Sequence, residues 1–298
     1  MGSGLEAGHT VDPDQFEPGV PDEDQARLHL VDLELFEVAA RFSLGLTKRW
    51  ALDVTAPFRE VRVSADFEDE TGEHLPDFSS IHHRNETISG MGDVSLAGRY
   101  RWKPLNLAGW IFDLAAGASL PTGAIEDDPF ALGAQGLPHQ HIFFGSGTVD
   151  PVLGATGYRR SEVAPFVGWL RWSGPIETNS KGYRAGARVS SGLGFSPSFG
   201  LERWSFLGQL EVFHEEASRW AGRDARNSGR TDLVANLGAF WSPAEDWTAQ
   251  LLVRVPDNLE ARGGQLDLGP ILSFGVTRSW SLKPHDHGDS DHDGEDDV

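Results

Sequence analysis

The sequence predicts an all-β fold: a transmembrane, antiparallel, up-and-down meander β-barrel of about 12 strands, with short periplasmic turns and long extracellular loops. Three patterns predict it. Apolar and polar residues alternate with a period of two in segment after segment between residues 36 and 282, the mark of strands rather than helices. The connections between these segments are short and long by turns. The tryptophans gather beside the short ones.

In chain order the strands are read at 36–46, 50–64, 92–102, 108–121, 149–160, 164–173, 183–197, 203–215, 231–241, 246–256 and 265–282, and no segment shows a convincing helical period. The third is the cleanest: from Asp93 onward Val94, Leu96, Gly98, Tyr100 and Trp102 share one side, and Asp93, Ser95, Ala97, Arg99 and Arg101 the other. In 183–197, Ala185, Ala187, Val189, Leu193 and Phe195 oppose Arg184, Gly186, Arg188, Ser190, Gly192 and Gly194. In 246–256, Trp247, Ala249, Leu251, Val253 and Val255 oppose Thr248, Gln250 and Arg254. Short links at 47–49, 103–107, 161–163, 198–202 and 242–245 alternate with long ones at 65–91, 122–148, 174–182, 216–230 and 257–264. In a meander every second connection lies at the same end, so one end is trimmed and the other elaborated, as in transmembrane barrels.

Trp50, Trp102, Trp110, Trp204, Trp241, Trp247 and Trp280 lie beside short links or at the end of the last strand; Trp169, Trp172 and Trp220 do not. Indole is favoured where an apolar phase meets headgroups, so this set predicts an interfacial girdle facing lipid. A soluble barrel would turn its apolar face inward. Girdle and loop asymmetry predict the inverse, with the charged face on a water-filled lumen. Eleven strands are clear, whereas single-chain bacterial barrels have an even number. The expected twelfth lies in DQARLHLVDLEL, 24–35, unless that stretch extends the next strand through a β-bulge.

Composition supports this class. No apolar run among the 298 residues approaches the length of a membrane-spanning helix. There are 35 glycines and no cysteine, which excludes disulfides and thiolate sites. The formal charge of −20 sits mostly at the ends: residues 1–26 and 284–298 hold fourteen of the 45 acids and no Lys or Arg, leaving 31 acids against 25 bases elsewhere. A nucleic-acid partner is therefore not expected. The expected organisation is an acidic disordered segment at 1–26, a barrel at 27–282 and an acidic disordered tail at 283–298. Met1-Gly2-Ser3-Gly4 reads as an expression leader rather than a signal peptide.

GLTKRWALDVTAPF (45–58), GMGDVSLAGRYRW (90–102), LPTG (120–123) and GSGTVDP (145–151) together resemble the outer-membrane barrel family labelled as transporters of the phenol-degradation meta pathway, over roughly 42–160. The resemblance implies an outer-membrane channel for small organic compounds, aromatic ones included, acting as a monomer in outer-membrane lipid. Read physically, the motif glycines Gly45, Gly90, Gly92, Gly145 and Gly147 permit turns or close approach, and Pro121 ends a strand.

The expected lumen face carries Glu37, Arg41, Asp53, Arg59, Arg99, Arg101, Asp113, Arg171, Arg184, Arg188, Glu211, Asp232, Arg254 and Asp267. Such mixed charge either orders water around a polar solute or closes the lumen with cross-barrel ion pairs. The loop 122–147 bears Phe130, Leu132, Phe143 and Phe144, which either line an apolar mouth, fold inward as a constriction or pack as a plain cap. Histidines collect in loops (His74, His82, His83, His139, His141) and in the tail, where His285, His287 and His292 among carboxylates suit weak divalent-metal capture. No other cofactor is expected. No G-x-S-x-G motif occurs, and His214 falls on an apolar face, so the sequence predicts no enzyme.

Overall fold

The computed structural model describes residues 2–10, 28–69, 71–76, 84–104, 107, 109–159, 161, 165–197, 199–225, 228–261 and 267–281, with backbone alone for 2–10 and 267. In chain order the elements are β1 Gly2–Thr10, β2 Leu28–Gly45, β3 Trp50–Glu68, β4 Glu86–Met91, β5 Val94–Trp102, β6 Trp110–Leu120, α1 Pro129–Gly133, β7 Asp150–Arg159, β8 Phe166–Ser173, β9 Tyr183–Arg184, β10 Arg188–Phe195, β11 Trp204–Glu215, β12 Arg219–Trp220, β13 Arg223–Asp224, β14 Arg230–Ala244, β15 Trp247–Ala261, β16 Asp267–Leu268 and β17 Ile271–Arg278.

Fourteen of the strands make one antiparallel sheet that curls until its ends meet. From β2 the ladder passes through β3, β5, β6, β7, β8, β10, β11, β14 and β15 to β17, each next to its sequence neighbour in the wall. Two wall positions are interrupted: β4 and β5 both pair with β3, and β16 and β17 both pair with β1. Counting each as one gives twelve staves.

The twelfth stave differs from the expected one. Leu28 to Gly45 is a single strand paired with β3 from Leu28↔Glu68 to Gly45↔Ala51 without a register shift, so 24–35 supplies neither a separate strand nor a bulge. The seam is closed instead by Gly2–Thr10, which the sequence placed in the acidic end segment. Its backbone pairs with β2 from Gly2↔Phe36 to Thr10↔Leu28 and, on its other edge, with Leu268, Asp267 and Leu272. Ladder hydrogen bonds do not depend on side-chain identity, so GSGLEAGHT, which lacks alternation, can still fill an open seam.

The apolar phase shift before Phe36 has a physical cause. On β2 the even-numbered residues face outward throughout, and what changes is the medium they meet. Phe36, Val38, Phe42 and Leu44 are exposed large apolar groups, as are Trp50 and Phe58 on β3. Phe36–Leu46 is the length of a transmembrane β-strand. Beyond Phe36 the outward positions become Asp32 and Glu34, and across the ladder Glu60 and Arg62, whose carboxylate and guanidinium pair at 2.8 Å. There the inward positions turn apolar: Val31, Val61 and Val63 are buried in a small core with Leu33, Leu35 and Ile88. These staves rise past the lipid and revert to the soluble rule, apolar inside and polar outside.

Other departures are local. The expected strand 183–197 is broken: β9 leaves the wall and joins β12 and β13 in a three-stranded sheet within the long loops. The expected strand 92–102 gains β4 as an upward continuation. A short helix, α1, forms where none was expected, its N-terminus capped by the Asp128 carboxylate, which accepts from the Phe130 and Ala131 amides.

A closed barrel with an apolar belt requires detergent and resists unfolding in dodecyl sulfate. We expect unboiled protein to run faster on a gel than boiled protein; a detergent-free monomer with no such shift would favour a soluble lipocalin-like barrel.

Candidate functional site

Because side chains alternate across a strand, the residues opposite the apolar belt project into the lumen, and on one side of the barrel they form a continuous ion-pair network. Arg99 on β5 grips Asp53 on β3 with two bonds, Nε to Oδ2 at 2.7 Å and Nη2 to Oδ1 at 3.1 Å, and reaches Ser43 Oγ at 3.0 Å. Arg101 grips Asp113 on β6 in the same way, at 2.8 Å for both bonds, and Arg99 Nη1 approaches Asp113 at 3.4 Å. Higher on the same wall Arg59 donates to Glu37 at 2.8 Å. Bidentate guanidinium–carboxylate pairs are rigid and directional, so this wall is a fixed lattice of charge.

A second network lies across the barrel. Arg254 donates to Asn236 Oδ1 at 3.0 Å and to Glu211 at 3.2 Å. Arg230 holds Asp232 with bonds of 2.7 and 2.8 Å, and Asn258 adds a third at 3.1 Å. Asp232 is 1% exposed, so this member of the expected lumen set is sealed from solvent in a structural pair. Arg188 pairs with Glu215 at 2.6 Å. Arg184, expected on the wall, sits on β9 in the mouth and donates to the Pro175 carbonyl at 3.2 Å. Asp267 contributes its backbone to β16; its side chain is outside the described residues, as are His82, His83, His285, His287 and His292.

Between the two networks the inner face of β7, β8 and β10 is open. Its inward positions include Gly154, Gly192, Gly194 and Ser190, together with Arg171, Trp169 and Tyr158. A Cβ on Gly192 would stand 2.3 Å from the Trp169 ring, so the indole occupies the space that a side chain on β10 would take. Trp169 has the same strand parity as Arg171, so alternation alone is the signal that places it on the inward side.

Asp113 is 5% exposed and neutralises two arginines. Removing its charge leaves Arg99 sharing Asp53 and Arg101 without a carboxylate. We expect Asp113→Asn to lower stability against urea in detergent by about 2–4 kcal/mol, near the cost of breaking a buried ion pair on one side only; a change within 0.5 kcal/mol would mean that lumen water already solvates this lattice.

At the short-turn end aromatic side chains pack on one another. Trp50 packs on Tyr100, Trp102 and Trp110 on Phe112, and Trp204 on Trp241 at 6.2 Å. Arg278 lies over both Trp247 and Trp280. Indole and guanidinium together suit a headgroup layer.

At the opposite end the loop 121–149 folds inward. Phe144 is buried against Val31, Val61 and Val63, the small core where the staves leave the lipid, and a Cβ on Gly90 would stand 3.0 Å from the Phe144 ring. Phe143 points away, stacking on Tyr183 at 5.3 Å beside Trp220, which is 5% exposed. Burial raises the Tyr183 phenol above its ordinary pKa, in keeping with a packed cap. Phe130 stays exposed on α1 against His141, and Leu132 is partly buried. The loop aromatics thus divide between constriction, cap and surface.

What ties the loop down is a residue that sequence reading placed only in an alternation. Asp93, in the break between β4 and β5, accepts from the Gly123 amide at 2.9 Å, the Ser146 amide at 2.8 Å and Ser146 Oγ at 3.1 Å, so one carboxylate clasps both roots of the loop. Thr122 Oγ adds a bond to the Gly92 carbonyl at 3.0 Å and accepts from the Val94 amide at 2.9 Å. A Cβ on Gly123 or Gly145 would stand 2.7 Å from the other's backbone. The segments GMGDVS, LPTG and GSGTVDP therefore meet in space as a single joint.

No family model and no curated protein matches the sequence. Among solved structures the chain is similar to the COG4313 outer membrane channel from Pseudomonas putida F1, at 13% identity over 93% of this chain and 94% of that one, with a TM-score of 0.53. The fold is that of a bacterial outer-membrane β-barrel. The NanC porin matches more loosely, at 10% identity over 93% of this chain and 100% of that one, with a TM-score of 0.41. The KdgM porin in complex with oligogalacturonate follows at 8% identity, 94% and 100% coverage and a TM-score of 0.39.

Proposed function

We propose that the protein is a monomeric outer-membrane channel that passes small organic solutes, aromatic ones among them, by diffusion through the lumen, and that it performs no catalysis. The observation that carries this reading is the inverted barrel itself: a lipid-facing belt outside, and inside a wall of fixed ion pairs flanking an open sector lined by glycine, serine and an arginine. Paired charges hold lumen water without trapping a solute of either sign, and the inward loop narrows the mouth enough to select by size. The motif resemblance to the phenol meta-pathway transporters supports an organic solute.

Reconstitution tests it. Liposomes carrying the protein should swell in isotonic small solutes and planar bilayers should show discrete conductance steps. Protein that is folded by the gel-shift criterion yet conducts nothing and admits no solute would make a structural or adhesive barrel the better reading.

For the tail we propose a separate, minor role as a weak divalent trap through His285, His287 and His292. Deleting 284–298 should leave the gel shift intact and lower only the zinc bound per chain; unchanged zinc binding would reduce the tail to a solvated extension.

A further inference from the structure

The charge ledger of the lumen does not close evenly. Both oxygens of Asp53 are taken by Arg99, both of Asp113 by Arg101, and Glu37, Glu211, Glu215 and Asp232 each hold an arginine of their own. Three of the expected lumen arginines, Arg41, Arg171 and Arg184, have no carboxylate partner among the described residues; Arg184 sits in the mouth on the Pro175 carbonyl, which leaves Arg41 and Arg171, both exposed, on the wall. Their positions correspond. Arg41 stands four residues from Gly45, the short-turn end of β2, and Arg171 five residues from Phe166, the short-turn end of β8. β2 and β8 are separated by β3, β5, β6 and β7 in a wall of twelve staves, so the two residues occupy similar levels of their strands on nearly opposite walls.

The surroundings of Arg171 favour one kind of visitor. Its inward neighbours on the adjoining staves are Gly154 and Ser190, its register partners, which leave it room. Two residues back on its own strand, and on the same inward face, lies Trp169, its indole close over Gly192 of β10. A guanidinium presents a planar fork that matches a carboxylate in two bonds, and an indole face offers a flat apolar surface to whatever that carboxylate is attached to.

We infer that Arg41 and Arg171 are a docking station for organic carboxylates at mid-depth in the lumen, with Trp169 as the apolar platform beside Arg171. The inference rests on the channel reading and specifies its solute class. A solute anion exchanges from one guanidinium to the other across the lumen, and small cations are disfavoured at that level by two uncompensated positive charges.

The test is a reversal-potential measurement in a potassium chloride gradient, with sodium benzoate added as probe, on the parent, Arg41→Gln, Arg171→Gln, the double variant and Arg171→Lys, each first checked for its gel shift. The parent should pass chloride in preference to potassium, and benzoate should reduce the chloride current in a saturable manner. The double variant should lose roughly threefold or more of the chloride preference and most of the benzoate effect. Arg171→Lys keeps the charge but not the fork, so it should retain chloride preference while weakening the benzoate effect, and it remains informative if the glutamine variants fail to fold. A conducting parent that prefers potassium, or a double variant with unaltered selectivity and benzoate effect, overturns the docking station and leaves the channel standing. A folded parent with no conductance overturns both.

Discussion

Leu210→Arg is expected to cost about 2–4 kcal/mol of folding stability in lipid or detergent, the penalty for a cation at the bilayer midplane of a β-barrel. Leu210 faces outward on β11, six residues from the girdle residue Trp204, and is 58% exposed. In a soluble protein the same change at so exposed a leucine would fall within about 0.5 kcal/mol, so the size of the effect reports the medium. Leu259 provides the matched control. It is equally exposed, but it lies in the β-bulge of β15 between Asn258 and Glu260, beyond Asp257, where the outer face has become polar. Leu259→Arg should therefore be close to neutral. Equilibrium unfolding in urea, followed by tryptophan emission in lipid vesicles, compares the two directly. Equal effects at both positions would remove the belt from the outer wall and with it the inverted barrel.

Asp93→Ala is expected to free the loop 121–149. Its carboxylate accepts three bonds from the two roots of that loop, and hydrogen bonds to a charged group contribute about 1.5–3 kcal/mol each when considered singly. The Phe144 cluster still favours docking after the change, so the expected outcome is a shift toward the open loop of tenfold or more rather than complete release. Because the chain has no cysteine, Ile142→Cys is a clean reporter in the partly buried inner flank of the loop. Its labelling by a membrane-impermeant maleimide should be slow in the otherwise unchanged protein and at least tenfold faster when Asp93 is alanine, with a matching rise in conductance. Asp93→Asn, which keeps the shape but loses the charge, should fall between. Equal labelling rates in all three would show that the apolar cluster alone holds the loop.

The sequence by itself determined eleven of the twelve staves and their two faces. These are legible because a strand places neighbours on opposite sides whatever surrounds it, so Arg99 and Arg101 opposite Tyr100 and Trp102 already state which residues share a wall surface. The same local rule puts Arg99 and Arg101 on the face of β5 from which they pair with Asp53 and Asp113. Tertiary structure decided what parity cannot express. Leu28–Leu35 read as a misfit because the medium outside β2 changes from lipid to water near Phe36 while the strand itself continues unbroken. Gly2–Thr10 carries no alternation, since its place depends on backbone bonds offered by two edges far away in sequence. The clasp at Asp93 joins partners 30 and 53 residues distant, and which arginines find carboxylates, leaving Arg41 and Arg171 without one among the described residues, follows from curvature and register across staves. Periodicity is a property of single strands, whereas closure, pairing and the inward fold of a loop are properties of the whole ring, fixed only when every edge and every buried charge has found its partner.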